Sequence, residues 1–235
     1  RQYTMATILI TGANRGIGLA LATLALKRGD RVIAGCRNPA SAVELLALQK
    51  NYSEHCSVIE LDVVDEQSLE KAANSLSEPL DLLVCNAGVQ NGYSGMHGTE
   101  NTLAAFERVL VTNIASPFFT TRAFLPHLRN SDGEAKVAVI SSLMGSQAHT
   151  AANAYAYRAS KAGANNIVVT LSHELASESI AVATYHPGWV RTDMGGPNGD
   201  ISPDESAAGL LDRFDELSMQ QSGQFINYNG DKLQL

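Results

Sequence analysis

Short, mostly apolar runs alternate with segments of helical periodicity along almost the whole chain. The runs are rich in β-branched residues, whereas the segments between them repeat their apolar residues every three or four positions. Continuous apolar strands separated by helices are typical of a parallel sheet that is covered on both faces. The pattern predicts strands at 6–10, 32–36, 56–61, 81–85, 136–141, 180–185 and 223–227.

These elements predict an α/β fold built on a doubly wound parallel sheet of about six or seven strands, with helices on both faces. The chain has 235 residues, and neither a linker rich in Pro or Ser nor an internal repeat interrupts it. We therefore expect a single domain over residues 5–235. Residues 1–4 are interpreted as a remnant of the expression vector, because a natural start at Met5 would place the first strand directly after it.

Composition narrows the class of partner. The net charge is −7 and Lys and Arg do not cluster, which disfavours nucleic acid and favours a small-molecule substrate. No apolar stretch approaches the ~20 residues of a membrane span and no signal peptide is evident, so we expect a cytoplasmic protein without membrane attachment. The histidines lack metal-ligand spacing, and the three cysteines lack a Cys-x-x-Cys motif, so no metal is expected.

A glycine-rich turn follows the first predicted strand and opens a helix. It reads Thr-Gly-Ala-Asn-Arg-Gly-Ile-Gly over 11–18. Gly12 allows a tight turn, Gly16 lets the backbone approach a pyrophosphate, and Gly18 lets helix and strand pack closely. An ordinary βα turn is the alternative, but the flanking strand and helix favour nucleotide binding. The other residues of the turn assigned to the cofactor are Asn14, Arg15 and Ile17.

Tyr157 and Lys161 are four residues apart on a predicted helix and therefore share one face. A neighbouring ammonium favours phenolate, so Lys161 is expected to lower the pKa of Tyr157 toward the range useful for acid catalysis. Ser142 closes the apolar run 135–142, at the end of a strand where open α/β sheets bind their ligands. Tyr155 is a rival, but only Tyr157 has a Lys four residues on.

Taken in order, these motifs resemble the short-chain dehydrogenase/reductase family over nearly the whole chain. The stretches 155–161 and 186–194 look most like its C-factor-like and monomeric carbonyl-reductase-like branches. The gap of 15 residues between Ser142 and Tyr157 is slightly longer than the commonest family spacing. The resemblance implies a Rossmann-type fold with seven parallel strands. It rests on Thr11-Gly12-x-x-x-Gly16-x-Gly18, Asn86-Ala87-Gly88, Asn113, Ser142 and Tyr157-x-x-x-Lys161.

The same resemblance implies further cofactor contacts. The Asp62 carboxylate and the Val63 amide would hold the adenine edge, although an Asp62 that caps the next helix is an open alternative. Thr192 would bind the nicotinamide carboxamide, and Lys161 would bind the nicotinamide ribose. Asn113, expected within a long helix, would hold a water that joins Lys161 to solvent. The remaining assigned residues are Asn86, Ala87 and Gly88 near the adenosine ribose, and Pro187, Gly188 and Val190 before Thr192.

Arg15 and Arg37 favour NADP(H) over NAD(H). A site specific for NAD usually has Asp or Glu at the end of the second strand, but this strand ends Gly35-Cys36-Arg37. Two guanidinium groups are suited to a 2′-phosphate, with two solvated surface arginines as the alternative.

The expected reaction is NADPH-dependent reduction of a small or medium apolar aldehyde or ketone, with Tyr157 as proton donor and Ser142 as hydrogen-bond donor to the carbonyl oxygen. One alternative is a regulatory or signalling protein that binds the cofactor with little turnover. Another is epimerisation or dehydration of sugar nucleotides, disfavoured by the short region after Thr192. A homodimer or homotetramer is left open, as is substrate contact by His149. Several side chains are expected to line the substrate pocket, although they could equally be part of the hydrophobic core. They are Met96, Met144, Tyr155, Trp189, Arg191 and Met194.

Overall fold

The structure is a computed structural model that describes residues 5–235, so the interpretation of residues 1–4 lies outside the described part. The strands are β1 (Thr7–Thr11), β2 (Arg31–Cys36), β3 (Cys56–Glu60), β4 (Leu82–Cys85), β5 (Lys136–Ile140), β6 (Ala181–His186), β7 (Phe225–Asn227) and β8 (Lys232–Leu233). The helices are α1 (Gly16–Arg28), α2 (Val43–Asn51), α3 (Glu66–Ser75), α4 (Leu103–Leu110), α5 (Ser116–Arg129), α6 (Tyr155–Glu174) and α7 (Pro203–Glu216).

The strands form one doubly wound sheet in the order β3-β2-β1-β4-β5-β6-β7-β8. Strands β1 to β7 run parallel, as predicted, and the two-residue β8 pairs antiparallel with β7. The strand order reverses between β1 and β4, which is the point where open α/β sheets bind ligands. The carboxyl ends of β1, β4, β5 and β6 therefore define where the site is built.

Hydrophobic cores cover both faces of the sheet. One core packs α1, α2 and α7 against the sheet around Leu21, Leu45 and Phe214. The other packs α3, α5 and α6 against the opposite face around Leu69 and Phe124. This arrangement explains why the central strands are apolar on nearly every position, since neither face meets water. None of the helices within residues 5–235 combines the length and apolar composition required to cross a bilayer.

Asp65, and not Asp62, caps helix α3. The Asp65 side chain accepts a hydrogen bond from the Gln67 amide at 2.9 Å and occupies the N-cap position. The Asp62 carboxylate instead accepts from the Val64 amide at 3.2 Å, three residues before the cap. The alternative that Asp62 caps the next helix is therefore wrong, because the chain makes an additional turn before the helix begins.

Asn113 lies in a continuous helical stretch over 103–129, as expected, but this stretch is not regular throughout. Helix α4 ends at Leu110, residues Val111–Ala115 form a π-helical turn, and α5 begins at Ser116. Pro117 stands four residues after Asn113 and has no N–H to donate to the Asn113 carbonyl, so one α-helical hydrogen bond is missing at this point. The wider turn is the local response, and π turns of this kind frequently occur at functional sites.

Candidate active site

The glycine turn is attached to the end of β4. The Thr11 hydroxyl accepts hydrogen bonds from the Asn86 and Ala87 amides, each at 3.0 Å. The Asn86 side chain returns two bonds, to the carbonyls of Thr11 at 3.0 Å and Gly12 at 3.1 Å. The predicted segments 11–18 and 86–88 therefore form one rigid unit at the reversal of strand order.

Glycine is required at two positions of this turn for different reasons. Gly12 has a φ of +63°, and a Cβ there would lie 3.0 Å from the Ala87 Cα. A Cβ on Gly18 would lie 2.3 Å from the Gly12 carbonyl oxygen and 2.6 Å from the Asn86 amide nitrogen. The turn therefore brings backbone against backbone with no room for a side chain.

The amino end of α1 is suited to an anion. Its N-cap residue, Arg15, makes no capping hydrogen bond with its side chain, and the first turn contains no acidic residue. Helix amino ends carry unsatisfied N–H donors and a partial positive charge, which a pyrophosphate can satisfy. The chemistry of this donor set, with the close approach allowed at Gly12 and Gly16, fits a dinucleotide cofactor.

Ser142 and Tyr157 meet at the end of β5. The strand ends at Ile140, two residues earlier than Ser142, which caps a single 3₁₀ turn and accepts from the Met144 amide at 3.1 Å. Tyr157 lies in the first turns of α6, close enough to Ser142 for the serine side chain to lower its pKa. Both side chains are 8% exposed, so they are shielded from bulk water.

Lys161 is buried beside this pair. Its ammonium donates to the Ile140 carbonyl at 2.9 Å and lies 5.6 Å from the centre of the Tyr157 ring. Burial lowers the pKa of Lys161 to about 8. Burial also raises the pKa of Tyr157, with a smaller increase from Tyr93 and a decrease from the Ser142 hydrogen bond.

The expectation that Lys161 lowers the pKa of Tyr157 is therefore not met in this structure. The shared helix face is present, but the Lys161 ammonium is directed to the Ile140 carbonyl, and desolvation dominates the titration of the phenol. The result is a protonated Tyr157 at neutral pH, which is the form that a proton donor requires.

Asn113 connects two other parts of the site. Its side-chain oxygen accepts from the Val89 amide at 2.9 Å, and its amide nitrogen donates to the Val89 carbonyl at 2.8 Å and to the Ser160 hydroxyl at 2.9 Å. A Cβ on Gly88 would lie 3.3 Å from the Asn113 oxygen and 3.5 Å from the Lys161 ammonium nitrogen. Gly88 thus keeps the space between Asn113 and Lys161 open.

The segment after β6 faces the glycine turn. A Cβ on Gly16 would lie 3.5 Å from the Thr192 methyl group. The Thr192 hydroxyl accepts from the Gly195 amide at 3.0 Å, so it also holds the turn over residues 192–196. Gly188 has a φ of +86°, and a Cβ there would lie 2.6 Å from Ile201, which explains the Gly after Pro187. Val190 is buried and bridges to Ile201.

Both predicted phosphate-binding arginines are exposed at the same sheet edge. Arg37 directly follows β2, and the Ala13 amide donates to the Gly35 carbonyl at 3.0 Å, which joins the glycine turn to the end of β2. Arg15 pairs with Asp193 at 3.0 Å across the cleft. Asp62 and Val63 follow β3, the edge strand beside β2. These residues therefore follow the carboxyl ends of three neighbouring strands, β1, β2 and β3.

Most of the side chains that were expected near the substrate pocket are exposed. Tyr155 and Trp189 are 40% and 50% exposed, Met194 is 38% exposed and Met96 is 71% exposed. His149 is an exposed loop residue, and its contact with a substrate stays open. The His149 carbonyl accepts a hydrogen bond from the Arg158 guanidinium at 2.8 Å. A side chain of α6 therefore holds the loop that precedes this helix. The exposed Met and aromatic side chains therefore lie at the surface and not in the core.

Several supporting residues were missed by sequence reasoning. The Ser141 hydroxyl donates to the buried Asn165 side chain at 2.6 Å, and Ser160 supports Asn113. Ser160 comes directly before Lys161, and Asn165 lies one helical turn after it. Their positions on the buried face of α6 were the sequence signal that could have identified them as supporting residues. His186 accepts from the Leu143 amide at 3.1 Å beside Ser142. Burial lowers the pKa of His186 to about 4, with a smaller contribution from the charge of His149.

Comparison with known proteins agrees with this geometry. The family model for short chain dehydrogenase matches residues 6–201. The C-signal protein of Myxococcus xanthus is 37% identical over 163 residues, which cover 69% of this chain and 96% of that protein. The NADPH-bound carbonyl reductase from chicken fatty liver superposes with a TM-score of 0.90 at 31% identity, covering 99% of this chain and all of that one. Carbonyl reductase Sniffer of D. melanogaster gives 0.92 at 31% identity with the same coverage.

Proposed function

The chain belongs to the short chain dehydrogenase family and is an oxidoreductase, and from that premise we propose that it reduces small or medium apolar aldehydes and ketones with NADPH. The observation that carries this proposal is the buried cluster of Ser142, Tyr157 and Lys161 at the end of β5. It places a protonated phenol, a hydroxyl and an ammonium beside a turn whose backbone and charge suit a dinucleotide.

NADP(H) is the proposed cofactor. The chicken carbonyl reductase is described as bound to NADPH, and a carbonyl reductase from Pseudomonas aeruginosa PAO1, 32% identical, is described in complex with NADP. In this chain Arg15 and Arg37 are exposed at the edge of the glycine turn, and no carboxylate ends β2. Charge-assisted hydrogen bonds from two guanidinium groups would favour a 2′-phosphate.

The residues that would hold the cofactor are those of the glycine turn, the 86–88 turn and the 187–192 segment. Asp62 and Val63 would bind the adenine edge. Thr192 would bind the carboxamide, and Lys161 would bind the nicotinamide ribose. When bound, NADPH supplies a hydride to the substrate carbonyl carbon. The chain has to bind the carbonyl, place its oxygen and deliver one proton to it.

Tyr157 is the proposed proton donor. Burial keeps its hydroxyl protonated at neutral pH, so it can pass the proton to the carbonyl oxygen as negative charge develops there. The Ser142 hydroxyl, which lies close to Tyr157, would donate a hydrogen bond to the same oxygen. The Lys161 ammonium would then stabilise the Tyr157 phenolate. Because the pKa of Lys161 is about 8, this group also exchanges protons readily near neutral pH.

Asn113 is proposed to support proton return. Its side chain is fully used by Val89 and Ser160, but Pro117 leaves the Asn113 main-chain carbonyl without its helical donor. That carbonyl is the group suited to hold the water that would join Lys161 to solvent. The π turn at Val111–Ala115 would be the local distortion that leaves this carbonyl available.

The proposal is tested by the rate of NADPH consumption with an aromatic aldehyde, an apolar diketone, a keto acid and an acetoacetyl thioester. Tyr157→Phe should reduce turnover by ~10²–10⁴ while NADPH affinity stays within a few-fold. Tyr155→Phe, the matched control, should be much milder. Calorimetry should show NADPH binding at least about tenfold tighter than NADH.

Two outcomes would overturn it. A preference above about tenfold for the thioester or the keto acid would contradict an apolar substrate. Tight NADPH binding without turnover of any carbonyl compound would favour the regulatory alternative, which the similarity to the C-signal protein keeps open.

A further inference from the structure

Arg158 has no carboxylate partner within the described residues 5–235, and its side chain bonds instead to the loop over 143–154. Its Nη1 donates to the His149 carbonyl at 2.8 Å. Its Nε donates to the carbonyl and to the side-chain oxygen of Asn153, each at 3.1 Å. A charged side chain of α6 therefore directs its donors to the loop that connects the two proposed catalytic hydroxyl groups.

The His149 carbonyl is joined to Ser142 by a series of backbone turns. The Gly145 amide donates to the Ser142 carbonyl at 2.8 Å, and the Ser146 amide donates to the Leu143 carbonyl at 3.0 Å. The His149 amide then donates to the Ser146 carbonyl at 3.2 Å. Because each turn is bonded to the next, a shift of the His149 carbonyl would also move the turn that carries the serine hydroxyl.

The turn that follows Ser142 packs directly on α6. A Cβ on Gly145 would lie 2.7 Å from the Lys161 carbonyl carbon and 2.8 Å from the Lys161 Cβ. The Met144 amide donates to the Ser142 hydroxyl oxygen at 3.1 Å, and the Met144 carbonyl lies 3.5 Å from the Arg158 Nη1. The position of the serine hydroxyl therefore depends on how this turn is held against the helix.

The other end of the loop is strained. Ala154, the N-cap of α6, has a φ of +50°, a left-handed conformation that costs free energy for a residue with a Cβ. Its amide donates to the Ser94 carbonyl at 3.0 Å, and the Arg158 Nε holds Asn153, directly before the bend. Strained backbone persists only where its surroundings fix it, and this bend sets the start of the helix three residues before Tyr157.

We propose that Arg158 is a positioning residue that sets the Ser142 hydroxyl and the Tyr157 phenol relative to each other, by holding both ends of the loop between them. The inference rests on the proposed carbonyl reduction and adds a residue that acts through the loop and not by contact with the substrate. A guanidinium suits this role because its donors point in fixed directions from one plane. Proton delivery needs such precision, since a misplacement of about 1 Å can lower a rate by about 100-fold.

The positioning role predicts a change in kcat without a change in cofactor binding. Arg158→Met removes the donors and keeps an unbranched stem, so kcat for benzaldehyde should fall about 10- to 100-fold. KM for NADPH and the calorimetric NADPH affinity should stay within about threefold, because none of these bonds involves the glycine turn. Arg158→Lys keeps the charge but donates from a single atom, so its kcat should lie between the two. Arg122→Met, which removes an exposed guanidinium paired with Glu66, is the matched control and should leave kcat unchanged.

A role exerted through Tyr157 can be separated from a loss of folded protein. In the Tyr157→Phe background the proton donor is absent, so Arg158→Met should lower the residual kcat by a smaller factor than it does in the wild type. A purely structural effect would lower kcat by the same factor in both backgrounds, and it would reduce the number of NADPH molecules bound per chain in calorimetry.

A second readout does not need turnover. Hydrogen exchange followed by mass spectrometry should be faster over residues 143–152 in Arg158→Met than in the wild type or in Arg122→Met, because the loop loses its bonds to α6. Exchange over α1 and β6 should be unchanged, which checks that the rest of the fold is intact.

The outcomes separate the positioning role from the proposed reaction. Arg158→Met with wild-type exchange over 143–152, with a kcat within about twofold of the wild type, or with an equal loss of kcat in both backgrounds would overturn the positioning role. Should Arg158→Met fail to fold, Arg158→Lys is put through the same comparisons. If the wild type reduces no carbonyl compound, the proposed reaction fails, and the exchange over 143–152 decides whether Arg158 holds the loop.

Discussion

Lys161→Met should abolish activity without destabilising the protein. Lys161 is 5% exposed, and its ammonium donates to the Ile140 carbonyl at 2.9 Å. A buried cation is costly for the fold, so the evident reason for Lys161 at this position is its function. Methionine keeps an unbranched stem of similar length and removes the charge, so the substitution separates the catalytic role from the packing role.

The magnitude follows from the pKa of Lys161. Burial lowers this pKa from 10.5 to about 8, and each pKa unit corresponds to about 1.4 kcal/mol, so keeping the ammonium charged in the fold costs about 3 kcal/mol. Removing it also leaves the Ile140 carbonyl without this donor, which costs about 1–3 kcal/mol. The free energy of unfolding of Lys161→Met at pH 7 should therefore equal that of the wild type or exceed it by up to about 2 kcal/mol.

The pH dependence has a definite sign. The pKa of Lys161 is lower in the folded state, so between pH 8 and 10.5 the unfolded chain binds more protons at this residue. The cost is fully present below pH 8, and wild-type stability should rise relative to the variant as the pH increases through that window. Urea unfolding at pH 7 and pH 10 measures both effects, with exposed Lys71→Met as the control. A Lys161→Met protein more than about 2 kcal/mol less stable than the wild type at pH 7 would refute the reasoning.

Three other predictions follow from the geometry. Gly18→Ala should destabilise the protein and abolish NADPH binding, because its Cβ would lie 2.3 Å from a carbonyl oxygen of the glycine turn. Gly29→Ala is the control: its Cβ would meet nothing within 4 Å, so with a φ of +100° the substitution should lower the free energy of unfolding by only about 1 kcal/mol in thermal unfolding. Arg37→Ala should reduce the preference for NADPH over NADH in calorimetry, and an unchanged preference would exclude Arg37 from the phosphate site. His186 has a pKa of about 4, below its ordinary 6.5, so wild-type stability should fall by up to about 3 kcal/mol as the pH drops from 6.5 to 4. His186→Asn, which keeps an acceptor for the Leu143 amide, should lose less in urea unfolding over that range.

The sheet was predictable because its signal is local. Seven predicted strands overlap the seven parallel strands, and their ends differ by at most two residues, since a strand buried on both faces is apolar almost throughout. The exception is β8, whose two residues Lys232 and Leu233 are too few to show any pattern. It pairs at the sheet edge through backbone bonds, and the sequence carries no local mark of that pairing.

The helix around Asn113 shows a signal that was present and not used. A proline four residues after another residue removes the donor for that residue's carbonyl, whatever the tertiary context. Pro117 stands in this relation to Asn113 and marks a point where the regular hydrogen bonding is interrupted, although Pro126 inside α5 shows that an α-helix can also absorb the same loss. The sequence analysis expected a long helix around Asn113, because hydrophobic periodicity is sensitive to side chains and not to a missing N–H.

The pKa of Tyr157 could not be deduced from its spacing to Lys161, because spacing fixes which helix face a side chain occupies but not where its charged end goes. The ammonium of Lys161 lies at the end of a long flexible stem, and here it reaches the Ile140 carbonyl on β5. The phenol of Tyr157 is buried and lies close to Ser142. Desolvation therefore decides its titration in this arrangement, and the ammonium can favour the phenolate strongly only if its charged end moves toward the hydroxyl during the reaction. The same spacing would then serve two states, a protonated acid before proton transfer and a stabilised phenolate after it.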